Sequence, residues 1–157
     1  MRRSKTLAAI ILGMVVTLGA TPAMAAESGD REVDPAVAAM LEEVPGGIVL
    51  DATRAVWPEL GMELQVTAKS SISARTVGGC ATGKTCAFSL ASLGGNILSF
   101  SSCSVNTVPA SFVTRSAANA RTSGYMQARN GSSVLATISA GNWSNVSGTV
   151  TNLRCVL

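Results

Sequence analysis

The residue types and spacing that could do chemistry are concentrated in GGCATGKT, Gly78–Thr85. This stretch satisfies the phosphate-loop pattern G-x-x-x-x-G-K-[ST] at Gly78, Gly83, Lys84 and Thr85. In such a loop backbone N–H groups cradle phosphates, the lysine reaches the β/γ-phosphates and the threonine hydroxyl holds Mg²⁺. The pattern works only between a buried strand and a helix. The preceding SSISARTV is too polar for a central parallel strand. The following Ala87–Leu93 meets Gly94-Gly95 within two helical turns. No carboxylate follows to help hold Mg²⁺, and the nearest earlier one is Glu63. The match is therefore read as a coincidence of letters, and Cys80 and Cys86 become the informative residues of the segment.

Other catalytic chemistries meet similar obstacles. The chain has no histidine, which excludes Ser-His-Asp and Cys-His arrangements. A Ser-Lys dyad could draw on Lys69-Ser70 or Lys84, but serine is abundant and solvated lysines are the simpler reading. Paired carboxylates would have to come from residues 27–63, where Glu42-Glu43 read as a helix face and Glu59/Glu63 as a hairpin turn. The four cysteines are separated by five, sixteen and fifty-one residues, which is no zinc-knuckle spacing. Calcium favours carboxylate oxygens, and none lies beyond Glu63. The expectation is a protein that is not an enzyme, with no catalytic residues, no metal and no cofactor, so binding becomes the expected class.

The first residues indicate the compartment. Arg2, Arg3 and Lys5 precede an apolar run from Leu7 to Ala20, and Ala23-Met24-Ala25 forms a small-x-small cleavage box. Residues 1–25 thus read as a secretory signal peptide, leaving 132 of 157 residues as one mature domain with no membrane anchor after cleavage. The expected location is extracellular. The mature part balances nine basic against nine acidic residues, so the whole-chain charge of +3 belongs to the leader. All nine acids lie between Glu27 and Glu63, while Leu64–Leu157 carries seven basic residues without interleaved aromatics. Scattered solvated charges explain this better than a nucleic-acid surface. Four mature cysteines in an exported chain imply two disulfides: Cys80, Cys86, Cys103 and Cys155.

These residues must be positioned by mostly extended chain. Residues 26–43 read as a mobile N-terminus followed by a short helix, capped by Asp34, opened by Pro35 and ended by Pro45-Gly46-Gly47. Residues 44–157 read as a single disulfide-stabilised all-β domain. Ile48–Trp57, a turn at Pro58–Gly61 and Met62–Ala68 suggest a hairpin. Ser70–Gly79 reads as a loop. Cys86–Cys103 suggests a second hairpin with Gly94-Gly95 at its tip. Further strands are expected at Tyr125–Ala128, Val134–Ser139 and Val150–Val156, with turn signals at Asn130-Gly131 and Gly141-Asn142. The spacing predicts a sandwich or barrel of antiparallel strands.

The segments CATGKTCAF, LGGN, ILSF and SSC, in this order, resemble the secreted peptidase inhibitor family thirty-six of actinobacteria. Its members carry a C-P-S-G-x-x-C-aromatic stretch, a Gly-rich hairpin and a third cysteine. Cys80, Gly83, Cys86 and Phe88 match, with Ala81 where proline is usual and the aromatic displaced by one. Val44–Val66 and Ile138–Gly148 resemble two further family segments. The resemblance implies a βγ-crystallin-like fold of two Greek-key motifs packed as a sandwich, behind the short helix read above, and an extracellular inhibitor of peptidases. It also favours a locally closed Cys80–Cys86 loop, with Cys103 paired to Cys155. The rival pairing places Cys86 opposite Cys103 across Gly94-Gly95 and joins Cys80 to Cys155. Crystallin-type calcium positions fall near Val113–Ala118 and Asn152–Leu157, and both lack acids, so no calcium is expected.

Two functions follow. As an inhibitor, the chain presents a candidate loop of Ala81, Thr82, Gly83, Lys84 and Thr85 to an extracellular protease, with Lys84 or Thr85 at its tip. A pinned loop binds a cleft without losing much entropy. The alternative is a non-catalytic module for a cell-wall component, with Trp143 and Tyr125 as stacking rings and Trp57 in the core. Neither reading involves nucleic acid, and a monomer is expected.

Overall fold

The computed structural model describes residues 32–67 and 76–157. The predicted signal peptide, the N-terminal residues 26–31, and the Lys69-Ser70 pair with most of the serine-rich loop lie outside the described residues.

Helix α1, Pro35–Glu43, forms as the sequence predicts. The Ala36 amide donates to Asp34 Oδ1 at 2.8 Å, and Pro35 sits where a missing N–H costs nothing. Val37 and Met40, one turn apart, are buried. The segment Ile48–Trp57 is not one strand but two, β1 (Ile48–Asp51) and β2 (Arg54–Trp57), which pair antiparallel. The reversal is set by Asp51, whose Oδ1 accepts from both the amide and the hydroxyl of Thr53 at 2.8 Å. Strand β3 (Met62–Gln65) then pairs with β2 as expected, after one 3-10 turn at Pro58–Leu60.

The remaining strands are β4 (Thr76–Val77), β5 (Cys80–Ala81), β6 (Thr85–Phe88), β7 (Ile97–Phe100), β8 (Val105–Thr107), β9 (Ser116–Asn119), β10 (Tyr125–Asn130), β11 (Ser133–Ser139), β12 (Asn142–Asn145) and β13 (Asn152–Val156). They form an antiparallel seven-stranded sheet ordered β1-β2-β3-β7-β6-β9-β12, a four-stranded sheet ordered β11-β10-β13-β8, and the small β4-β5 hairpin. The all-β expectation holds, with a single helix among the described residues.

One apolar cluster joins the two larger sheets. Trp57, Leu64, Leu98 and Ala117 come from the first, Met126, Ala128 and Leu153 from the second, and Val37 and Met40 from α1. Trp57 is 1% exposed, and its Nε1 donates to the Val44 carbonyl at 2.8 Å, so the core role expected of it is met. A second cluster, Cys80, Cys86, Phe88, Ile97, Ala118 and Ala120, lies on the opposite face of the seven-stranded sheet. Strand β6 is therefore buried on both sides: Thr85 and Ala87 face the sandwich, Cys86 and Phe88 the other face.

Two expectations need correction. The β6–β7 hairpin centres on Ser92-Leu93, not Gly94-Gly95, because Cys86 pairs with Ser99 and Phe88 with Ile97. Ser92 and Leu93 take the left-handed conformation (φ 56° and 61°), held by Leu93 N donating to Ser116 Oγ and Ser92 N to Asn145 Oδ1. Cys103 thus lies four residues past the partner of Cys86, and the rival disulfide pairing fails on register. The bonds are Cys80–Cys86 and Cys103–Cys155, with Cα–Cα separations of 5.8 and 4.8 Å. Second, the loop expected over Ser70–Gly79 contains strand β4 at Thr76–Val77, whereas the turn signalled in the Gly141-Asn142 region is present at Ala140-Gly141, directly before β12.

Candidate functional site

The GGCATGKT segment folds as a hairpin turn, a stapled loop and the start of a strand. Gly78 and Gly79 occupy the two-residue turn between β4 and β5, both with positive φ (62° and 90°). Tight hairpins of this hand need that conformation, which glycine adopts without a Cβ clash. A Cβ on Gly78 would also collide with Leu93. Gly83 has open space around it but a φ of 85°, so its role is again backbone shape. The segment is followed by strand β6 rather than the helix a phosphate loop requires.

Between the cysteines the loop is tied down at several points. Lys84 N donates to the Ala81 carbonyl at 3.0 Å and closes a turn. Gly83 N donates to the Ala120 carbonyl at 2.8 Å, and Ala120 N returns a bond to the Lys84 carbonyl at 3.0 Å. The disulfide is inside the outer cluster, with Cys80 and Cys86 both fully buried. Lys84 Nζ reaches across the sheet to Glu63 Oε2 at 2.8 Å, while Arg54 holds Oε1 of the same carboxylate at 2.7 Å. The register explains this reach: on the outer face Glu63 of β3 stands beside Ser99 of β7, which stands beside Cys86 of β6. Burial raises the Glu63 pKa, but the Lys84 and Arg54 hydrogen bonds and charges outweigh it and hold the carboxyl below its ordinary value.

The expected tip is thus corrected. Lys84 is engaged by Glu63, and Thr85 is fully buried against the sandwich core as part of β6. The residues left exposed are Ala81, Thr82 and Gly83. Sequence reasoning missed Glu63 as the brace. Its outward direction was readable from the alternation Met62, Leu64 against Glu63, Gln65, but its neighbours depend on strand order.

The two candidate stacking rings are not brought together. Trp143 is 45% exposed and pairs with Ala118 on the outer face of the seven-stranded sheet. Tyr125 is 39% exposed and points away from the core-facing Met126, on the outer face of the other sheet. The stretch compared with crystallin-type calcium positions lies partly in β9, and the C-terminal one in β13. No group of three or more His, Cys, Asp or Glu side chains suited to a metal occurs among the described residues.

No family model, curated protein or solved structure matches the chain. The two disulfides fit an oxidising, extracellular-type environment, and no helix among the described residues is long and apolar enough to cross a membrane.

Proposed function

We propose that this is a secreted, non-enzymatic binding protein, similar to peptidase inhibitors, that presents the loop Ala81–Gly83 to an extracellular protease. One observation carries this reading. The three exposed residues sit between two buried, bonded cysteines, and their flanks are held by the Gly83–Ala120 pairing and the Lys84–Glu63–Arg54 ion triad. A loop ordered before binding loses little conformational entropy on entering a cleft, so more of its contact energy appears as affinity. The proposal includes a βγ-crystallin-like Greek-key topology, supported by repeated passage of the chain between the two sheets after β7. It also includes export by cleavage after Ala25 and a monomeric state. The oxidised mature protein is to be titrated against subtilisin-like and thermolysin-like endopeptidases. Saturable inhibition of either is expected, and none at ~10 μM against both would refute the reading, since a specific inhibitor binds far below that concentration.

A further inference from the structure

The exposed tripeptide Ala81–Gly83 is too small to make a specific complex by itself. Stable protein–protein interfaces cover about 800 Å² on each partner and draw on about 20–30 residues a side. The tripeptide supplies roughly a tenth of those residues. A patch of that area has a radius of about 16 Å, so a protease seated on the tripeptide also covers the surface around it.

The strand register identifies the neighbour. Thr85 of β6 stands opposite Asn119 of β9, and the two strands are antiparallel. The stapled loop therefore enters β6 at the same end of the sheet at which residues 120–124 leave β9. Main-chain bonds join the two segments: Gly83 N donates to the Ala120 carbonyl at 2.8 Å, and Ala120 N donates to the Lys84 carbonyl at 3.0 Å. Thr122 and Ser123 follow two and three residues later, and both are exposed. Their Cα atoms lie at most about 8 and 12 Å from that of Ala120, inside the radius of the footprint.

This second segment is ordered at both ends. Arg121 N donates to Oδ1 of the fully buried Asn119 at 3.2 Å, and Asn119 Nδ2 donates to the Ile138 carbonyl at 3.3 Å. Arg121 Nη2 donates to the Ser101 carbonyl at 2.6 Å. Gly124 closes the segment with a φ of 77°, and a Cβ there would strike the Val156 carbonyl. Its own carbonyl accepts from Ala140 N at 3.0 Å. Thr122 and Ser123 are thus held between anchors on both large sheets, which limits the entropy lost when they are covered.

We infer that Thr122 and Ser123 form a second contact loop for the same protease, so that the binding surface is bipartite. This rests on the inhibitor reading of the stapled loop. Ala120 is the joint: it is buried, it bonds to both Gly83 and Lys84, and it fixes the spacing of the two exposed segments.

The test measures inhibition constants against whichever subtilisin-like or thermolysin-like endopeptidase the oxidised mature protein inhibits. Four arginine variants at exposed positions are compared with the wild type. Thr82→Arg lies in the stapled loop, Thr122→Arg and Ser123→Arg in the second loop, and Ser132→Arg in the β10–β11 turn. The six residues of β10, at about 3.4 Å each, put that turn about 20 Å from Gly124. The first three variants are each expected to weaken inhibition about tenfold or more, because a long charged side chain is forced into a closed contact. Ser132→Arg is expected to inhibit like the wild type. Loss in Thr82→Arg with wild-type inhibition in either second-loop variant overturns the bipartite surface and leaves the inhibitor reading standing. Equal loss in Ser132→Arg also overturns it. No inhibition by the wild type, or none lost in Thr82→Arg, overturns the inhibitor reading and this inference with it.

Discussion

The two disulfides do different work. Cys80–Cys86 closes a separation of six residues on one face of one sheet, and Cys103–Cys155 closes fifty-two and joins the exit of β7 to β13 of the other sheet. In the loop-entropy account, the long closure constrains the unfolded chain more, contributing ~4 kcal/mol against ~2 kcal/mol for the short one. The short one is set deeper: both its cysteines are fully buried, packed with Phe88, Ala118 and Ala120. The long bond holds the fold together, and the short bond fixes the shape of an exposed tripeptide. The short bond contributes less to the unfolded-state constraint than the long one, and its distinctive effect is on the tripeptide it presents.

The largest expected effect falls on the long bond. Replacing Cys103 and Cys155 by serine should lower stability by ~4 kcal/mol, a fall in Tm of more than about 10 °C by calorimetry. Replacing Cys80 and Cys86 should cost about 2 kcal/mol by entropy, plus the disturbance of the outer cluster. If chemical denaturation ranks the short bond above the long one, the division of roles fails. Glu63→Gln should cost only ~1 kcal/mol, because the ion triad is partly exposed. Its clearer signature is local, as faster amide exchange at Gly83 and Lys84 while the core amides keep their protection.

The smallest effect is on pH. The Glu63 carboxyl titrates lower in the folded protein than its ordinary value of 4.5. Its contribution is therefore complete above that value and is lost as pH falls through the lower, folded one. Glu43 behaves in the same sense, held down by Ser111, through its side chain and amide, and by the Ala110 amide. Stability measured from pH 6 to pH 3 should fall in the wild type, and less steeply in Glu63→Gln.

How far the sequence could be read depended on what each segment's residues encode locally. Asp34-Pro35 and the spacing of Val37 and Met40 specify α1. The alternation of Met62 and Leu64 with Glu63 and Gln65 specifies β3 and its faces. Strand β9 was not legible, because SAAN has no β-branched or aromatic residue. It is a strand because both its faces are covered, and small side chains fit between the sandwich core and the disulfide cluster. The β6–β7 turn misled for a related reason. Gly94-Gly95 is the stronger turn signal, but side-chain bonds from Ser116 and Asn145 stabilise left-handed Ser92 and Leu93 two residues earlier. In the candidate site the cysteines and the loop between them were visible in sequence, but its exposed part was misplaced at Lys84 or Thr85, and the Glu63 brace that engages Lys84 appears only once β3, β7 and β6 lie side by side.

The most direct test of the central claim compares protease inhibition by the wild type, Cys80→Ser/Cys86→Ser and Cys103→Ser/Cys155→Ser, at a temperature where all three are folded. Loss of loop pre-organisation should weaken inhibition about tenfold or more in the first variant, since three ordered residues become free to move before binding. The second variant should inhibit like the wild type despite its lower Tm. Equal inhibition by all three proteins, or greater loss in the second variant, would contradict a function carried by the stapled loop.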